Sequence, residues 1–158
     1  MTSGTEVRRI VAGTDGSEGS LDALRWAASE AELRGAELLV LLAWQPPYTG
    51  PYLPAIPLDA GIVEEAAREG LRQALTAVFG DSPPDGVRAE IRQGTAAKVL
   101  TDAGKEADLL VVGSRGHGGL VGALLGSVST AVIHHATCPV LVVRRPADGP
   151  GHDERAQG

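Results

Sequence analysis

Short apolar runs alternate along the chain with longer segments in which apolar residues recur every three or four positions. Four of the runs are almost wholly apolar at their centres, which is typical of parallel strands that are buried on both faces. These runs are residues 7–13, 37–44, 108–112 and 140–143. A fifth run, residues 87–92, alternates apolar with charged residues, so it predicts an edge strand with one wet face.

Four segments with helical spacing separate these strands. The first is residues 20–34, which Gly35 ends, and either Ser17 or Ser20 can cap it. The others are residues 58–79, a short helix that Thr95 caps, and residues 127–136. Strand and helix therefore alternate throughout. This order predicts an α/β fold, a single open, doubly wound parallel sheet of five strands with helices on both faces.

The pattern predicts one domain over residues 7–145. Residues 1–6 are expected to be flexible, and residues 146–158, which are polar and rich in Pro and Gly, to be disordered. Residues 45–57 hold five prolines, so we expect a loop there rather than a helix or a strand.

The composition narrows the choice of function classes. The formal net charge is −6, so no global positive field would attract nucleic acid. The single cysteine excludes an intramolecular disulfide and is typical of a reducing compartment. No apolar segment approaches the roughly 20 residues that span a bilayer, and residues 1–7 lack the apolar run of a signal peptide. We therefore expect a soluble cytoplasmic protein that binds neither nucleic acid nor a membrane.

A glycine-rich segment, residues 113–126, lies between the fourth strand and the last helix. A phosphate group needs backbone N–H donors at close range, and a Cβ would block its approach. Gly113, Gly116 and Gly126 are predicted to clear that space. The segment is therefore a candidate phosphate site.

The start of the last helix adds to this candidate site. The N–H groups and hydroxyls of Ser127 and Ser129 would face the anion, as would the positive end of the helix dipole. Arg115 could add a charge-assisted contact. Asp15 follows the first strand and Ala43 lies at the end of the second. Because open parallel sheets bind ligands at the carboxyl ends of their strands, we expect these segments to converge there.

The spacing of the segment is Gly113, two residues, Gly116, nine residues, Gly126 and then Ser127. It resembles the signature of the ATP-binding members of the universal stress protein family. The family's opening strand and its aspartate are similar to residues 7–17, its fourth strand to residues 107–116, and its closing strand to residues 135–143. The resemblance covers about residues 7–145, nearly the whole chain.

The resemblance implies a Rossmann-like sheet of order 3-2-1-4-5 that binds ATP, or another adenine nucleotide, with Mg²⁺ or Mn²⁺. It implies that Asp15 lies near the ribose and phosphates by way of a divalent cation that the nucleotide phosphates bring, and that Ala43 meets the adenine through its backbone. It also implies a homodimer that pairs the last strands, residues 140–143, which would otherwise be an exposed apolar edge. The predicted nucleotide-binding residues are Gly13, Thr14, Asp15, Ala43, Val112, Gly113, Arg115, Gly116, Gly126, Ser127, Val128 and Ser129.

Several residues also have ordinary structural explanations. Asp15 could serve only as a turn residue or a helix cap, Ser127 only as an N-cap, and Arg115 only as a surface charge. His117 lies in the glycine-rich loop, where a histidine is expected to be solvated rather than catalytic. Cys138 precedes a proline and is predicted to be a small buried apolar group.

The other histidines and the aromatic residues are expected to pack or to face solvent. His134 and His135 lack further metal ligands at a known spacing. Trp26 and Leu33 fall beside the apolar stripe of the first helix and are expected to cover its flank. Two contacts with a ligand stay open, a rim contact by Trp44 and a cover formed by Tyr48 and Tyr52.

Three functions stay open on the sequence alone. The leading one is a cytoplasmic stress-response regulator that binds ATP with slow or no hydrolysis, because the loop lacks the lysine of a P-loop and no obvious base lies beside it. The second is an interaction protein of the same fold that needs no nucleotide. The third is a weak ATPase or nucleotidyl-transfer enzyme, whose paired-histidine or Ser-Gly-Gly motifs the sequence lacks. No residue is predicted to be catalytic.

Overall fold

Strands and helices alternate along the chain as the apolar pattern predicts. The computed structural model describes residues 6–47, 59–116 and 125–145. Its elements in chain order are β1 (Arg9–Gly13), α1 (Glu18–Arg34), β2 (Glu37–Trp44), α2 (Ala60–Phe79), β3 (Val87–Gln93), α3 (Ala96–Gly104), β4 (Leu109–Gly113), α4 (Ser127–His135) and β5 (Val140–Val143).

The strands of the described chain form one parallel sheet of order β3-β2-β1-β4-β5. The α/β fold class and the strand order 3-2-1-4-5 are therefore confirmed. β1 lies at the centre, where Ile10 pairs with Leu38 of β2 and with Leu109 of β4. β3 lies at one edge and shows the alternating burial predicted for an edge strand, and β5 forms the other edge.

The central strands are apolar on both sides because the sheet separates two hydrophobic cores. Ile10 and Ala12 of β1 belong to the core that includes α1 and α2, whereas Val11 belongs to the core that includes α3 and α4. All three side chains are fully buried. Burial on both faces explains why residues 10–12 of β1 are all apolar.

The helix ends differ from the prediction by a few residues. α1 begins before the predicted start because Ser17 is its N-cap, and the Ser17 hydroxyl accepts a hydrogen bond from the Ser20 N–H at 3.3 Å. Gly35 ends this helix in the left-handed conformation, with a φ of 63°. α2 begins directly after its cap, Asp59, rather than at residue 58.

Two apolar residues of α1 are exposed, which contradicts the prediction that they cover the flank of its stripe. Trp26 is 55% exposed and Leu33 is 81% exposed. The buried side of the helix consists largely of small side chains, such as Ala23 and Ala27, which let the helix axis lie close to the sheet. Residues on the opposite side of the helix then project into solvent.

Some of the predictions concern residues outside the described ranges. They are the flexibility of most of residues 1–6, the disorder of residues 146–158, the cover formed by Tyr48 and Tyr52, and the solvation of His117. Within the described ranges, no helix combines the length and the apolar character that a bilayer-spanning helix requires.

Candidate functional site

A cleft with a volume of about 330 Å³ opens at the carboxyl ends of β1, β2 and β4. Small-molecule sites have volumes of roughly 300 to 1,000 Å³. The cleft brings together every residue that the sequence predicts for nucleotide binding. These residues are Gly13, Thr14, Asp15, Ala43, Val112, Gly113, Arg115, Gly116, Gly126, Ser127, Val128 and Ser129. The sheet reverses its winding between β1 and β4, which is where open α/β sheets hold ligands.

Five further residues line the cleft and were not predicted from the sequence, namely Ser20, Leu41, Ala96, Leu100 and Leu125. Leu41 could have been found, because it precedes Ala43 by two positions and alternate residues of a strand share a face. Ala96 and Leu100 share a face of α3 at helical spacing. Nothing in the local sequence indicates that α3 packs over the end of β1, so these two residues needed the tertiary structure.

Hydroxyl groups hold the turn that follows β1. The Asp15 Oδ1 atom accepts hydrogen bonds from the Ser17 N–H at 3.0 Å and from the Ser17 hydroxyl at 2.5 Å. The Thr14 hydroxyl lies 3.0 Å from the Ser20 hydroxyl and accepts a hydrogen bond from the Gly16 N–H at 3.2 Å. Asp15 is thus a turn residue and also lines the cleft, so the two explanations for it are compatible.

The three glycines of the loop have different neighbours, which corrects the prediction that all three clear space for a phosphate. A Cβ at Gly113 would lie 2.8 Å from the Gly19 carbonyl oxygen, so this glycine lets α1 pack against β4. A Cβ at Gly116 would collide with the Asp15 Oδ2 atom at the cleft. A Cβ at Gly126 would meet its nearest atoms at 3.4 Å, which is ordinary contact.

The N-terminus of α4 lines the cleft, and no side chain of the described residues caps it. Its N-cap is Gly126, so Ser127 is the first helical residue, and the alternative in which Ser127 is only an N-cap is wrong. The other described helices have side-chain caps, which are Ser17 for α1, Asp59 for α2 and Thr95 for α3. An N-terminus whose N–H groups lack a side-chain acceptor is suited to bind an anion.

Two hydrogen bonds to one oxygen atom close the ends of the glycine-rich loop. The Ser114 carbonyl accepts from the Gly126 N–H at 2.6 Å and from the Ser129 hydroxyl at 3.0 Å. Ser129 is almost fully buried. Its hydroxyl proton and the Gly126 N–H are therefore used within the protein, which corrects the prediction that the Ser129 hydroxyl faces an anion.

Asp15 and Arg115 supply the charges among the described residues that line the cleft. Both residues are exposed. A single carboxylate suits Mg²⁺ only in part, because proteins usually hold Mg²⁺ with one or two carboxylates together with substrate phosphates. Outside the undescribed segments, the chain has no group of three His, Cys, Asp or Glu residues that could hold a metal ion. A cation at Asp15 would therefore need the phosphates of a ligand.

The remaining candidate residues lie outside the cleft. His134 and His135 are exposed in the last turn of α4. Cys138 is half-buried rather than fully buried, and it packs in the core that includes α3 and α4, where burial raises the pKa of its thiol. Trp44 packs against the core that includes α1 and α2 and is not a lining residue of the cleft.

The sequence of this chain matches one known protein family over most of its length. The sequence profile of the universal stress protein family matches residues 6–144, which is most of the chain. The chain belongs to the universal stress protein family. The resemblance of the glycine spacing to this family is thereby confirmed at the level of the family.

Curated universal stress proteins are similar to this chain in sequence. The chain is 39% identical over 156 residues to a universal stress protein of Mycolicibacterium smegmatis, an alignment that covers 92% of this chain and 51% of the relative. It spans about half the length of the curated relatives it matches.

Two solved structures of universal stress proteins superimpose on most of this chain. The protein UspA from Lactobacillus plantarum is 27% identical with a TM-score of 0.74, and the match covers 89% of this chain and 100% of that protein. A universal stress protein in complex with cAMP is 28% identical with a TM-score of 0.64, and the match covers 88% of this chain and 98% of that protein.

Proposed function

We propose that this chain is a nucleotide-binding regulatory domain, which binds ATP together with Mg²⁺ or Mn²⁺ and hydrolyses it slowly or not at all. The bound nucleotide sets the conformation through which the protein takes part in a cytoplasmic stress response. The observation that carries the proposal is one cleft that combines the Asp15 carboxylate, the Arg115 guanidinium and the uncapped N-terminus of α4.

The lining of the cleft combines two kinds of chemistry, which match the two parts of a nucleotide. Leu41, Ala43 and Leu100 supply apolar surface that suits the flat face of a base. Arg115 and the start of α4 supply positive charge and N–H donors that suit phosphates. Asp15 would hold the cation that the phosphates bring.

The solved relative in complex with cAMP supports an adenine nucleotide as the class of ligand. Three features of the cleft favour ATP over adenine nucleotides with fewer phosphates, because each interacts more strongly when more phosphates are present. They are the helix N-terminus, the guanidinium of Arg115 and the carboxylate of Asp15, which can contact the phosphates only through a cation.

The proposal of slow or no hydrolysis rests on what surrounds the phosphate end. Asp15 is the carboxylate of the described lining, and Ser17 donates two hydrogen bonds to its Oδ1 atom. A carboxylate that is hydrogen-bonded in this way is a poor base for activating water. The glycine-rich loop contains no lysine to stabilise the charge of a transition state.

We further propose that two copies of the domain form a homodimer by pairing their β5 strands. β5 is an edge strand that contains only valine and leucine. An unpaired apolar edge of this kind is an aggregation hazard unless another strand covers it.

Titration calorimetry tests the proposed ligand. Protein that has been unfolded, stripped of small molecules and refolded is titrated with ATP plus Mg²⁺, ATP plus EDTA, cAMP and GTP. We expect ATP with Mg²⁺ to bind most tightly, and ATP in EDTA more weakly because Asp15 then repels the phosphates. Absence of heat at millimolar ATP would remove the proposal and favour an interaction protein that needs no nucleotide. If cAMP binds more tightly than ATP, cAMP replaces ATP as the proposed ligand.

A phosphate-release assay under the same conditions tests the claim on hydrolysis. We expect less than one turnover in an hour. Many turnovers in that time would contradict the proposal and make the protein an ATPase.

A further inference from the structure

Ser20 lies in the first turn of α1 and is almost fully buried, with 6% of its surface exposed. Its hydroxyl contacts three partners. It donates to the Ser17 carbonyl at 2.9 Å, accepts from the Asp15 N–H at 3.3 Å and lies 3.0 Å from the Thr14 hydroxyl. A serine in a helix ordinarily bonds to the carbonyl three or four residues before it. Ser20 has two contacts beyond this bond, and both are with residues outside the helix that line the cleft, Thr14 and Asp15.

The positions of the protons follow from these contacts. The Ser20 hydroxyl has one proton, and the Ser17 carbonyl accepts it. Thr14 therefore donates its own proton to the Ser20 oxygen, while the Thr14 oxygen accepts from the Gly16 N–H. A single oxygen atom thus holds both the side chain of Thr14 and the backbone of Asp15.

The same turn also meets the glycine-rich loop. A Cβ at Gly116 would meet the Asp15 Oδ2 atom so closely that the carboxylate would have to shift, and a Cβ at Gly19 would lie 2.8 Å from the Arg115 carbonyl oxygen. The loop therefore meets the turn at Asp15 and the start of α1 at Gly19, the residue directly before Ser20. A displacement of the turn would move the carboxylate relative to the loop.

We propose that Ser20 is a positioning residue, whose hydroxyl holds the turn of Thr14 and Asp15 in the conformation that presents the Asp15 carboxylate to the bound nucleotide and its cation. This inference rests on the proposed function, because it assumes that a nucleotide occupies the cleft. The capping bond of α1 joins the Ser17 hydroxyl to the Ser20 N–H, whereas the proposed role belongs to the Ser20 hydroxyl, so Ser20→Ala keeps the N–H that the cap needs.

Calorimetry on a double-mutant cycle tests the proposal. The variants are Ser20→Ala, Asp15→Asn and the double variant, each titrated with ATP plus Mg²⁺. We expect Ser20→Ala to weaken binding about tenfold, the usual effect of one or two lost hydrogen bonds. Because Ser20 acts through Asp15, its loss should have little further effect once Asp15→Asn is present. Strictly additive effects, or unchanged affinity in Ser20→Ala, would overturn the proposal.

Ser29→Ala is the matched control, since Ser29 is an exposed serine of the same helix. It should bind as the unaltered protein does. If Ser20→Ala does not fold, Ser20→Cys serves in its place, because it keeps a side chain of similar shape with a weaker hydrogen-bonding group. Unchanged affinity in Ser20→Cys would then overturn the proposal.

Amide hydrogen exchange without ligand separates a failure of this proposal from a failure of the proposed function. We expect faster exchange at the Asp15 amide in Ser20→Ala but not in Ser29→Ala. If the unaltered protein binds no nucleotide, both proposals fall, whatever the exchange rates are. If it binds and the Asp15 amide exchanges at the same rate in both variants, only the role of Ser20 falls.

Discussion

At the scale of single residues, Gly116 lies next to the Asp15 carboxylate, and both residues line the cleft. The glycine spacing predicts that Gly116→Val removes nucleotide binding, because a branched side chain would occupy the phosphate space. In the structure, a Cβ at this position already collides with Asp15, so substitution by alanine is sufficient to displace the carboxylate.

We predict that Gly116→Ala weakens ATP binding about tenfold or more, a loss of about 1.4 kcal/mol or more, because it displaces the carboxylate. Both Gly116 and Asp15 are exposed, so the free energy of unfolding should change by less than about 1 kcal/mol. Calorimetry and urea unfolding measure the two quantities. Gly70→Ala is the control, because a Cβ there would meet Leu42 at an ordinary 3.6 Å. Equal affinities in the two variants would mean that Gly116 does not border the ligand.

At Gly113 we expect a substitution to lower the stability of the fold, because its close neighbour is backbone rather than a side chain. A Cβ there would lie 2.8 Å from the Gly19 carbonyl oxygen and 3.2 Å from the Ser20 nitrogen. We predict that Gly113→Ala lowers the free energy of unfolding by about 1 to 3 kcal/mol, the usual cost of overpacking. Urea unfolding measures this against Gly70→Ala, which should raise the free energy of unfolding by up to about 1 kcal/mol because Gly70 lies inside α2. A change below about 0.5 kcal/mol would show that α1 can move away from β4 freely.

At the scale of elements, α4 differs from the other helices because its N-terminus has no side-chain cap. A comparison of Ser127→Ala with Ser127→Pro separates the contribution of the hydroxyl from that of the N–H. Proline is well tolerated at the first helical position, and the extended backbone of Gly126, with φ of −76° and ψ of 169°, suits a residue before proline.

We predict that Ser127→Pro weakens ATP binding about tenfold more than Ser127→Ala, because the proline variant also loses an N–H donor that would bond to a charged phosphate. Circular dichroism should show the same helix content in both. Equal affinities with intact helices would mean that this N–H group does not contact the ligand.

At the scale of the whole molecule, the two edges of the sheet differ in sequence. β3 alternates half-buried residues with charged ones, whereas β5 is wholly apolar. The Ser114 N–H bonds to the Val143 carbonyl and the Leu110 N–H to the Pro139 carbonyl, so the N–H of Val142 points away from β4. By the same alternation, the N–H of Ala89 points away from β2, since the Leu38 N–H bonds to the Gly86 carbonyl.

We predict that Val142→Pro converts a dimer into a monomer, while Ala89→Pro leaves the dimer intact. Each variant loses one N–H at a sheet edge, where proline is tolerated, so the cost to the fold should be similar. Sedimentation velocity over a range of concentrations measures the oligomeric state. A monomeric unaltered protein, or loss of the dimer only in Ala89→Pro, would contradict pairing through β5.

The strands and helices, their order and the position of the candidate site could be predicted from the sequence, because these depend on local patterns. Apolar runs and helical stripes located the elements within a few residues, and the loops that follow β1 and β4 were recognisable from their glycines and Asp15. The ligand of that site stays a proposal, as do the homodimer and the cytoplasmic location.

The neighbours of these residues could not be predicted in this way and became known from the folded chain. The tertiary structure assigns Gly113 to the contact between α1 and β4, directs the Ser129 hydroxyl to the carbonyl groups of Ser114 and Gly126, and leaves Trp26 exposed. It also showed that Ser20 reaches Thr14 and Asp15. The physical reason is that periodicity reports which face of an element is buried, whereas close approaches and hydrogen bonds depend on where separate elements cross.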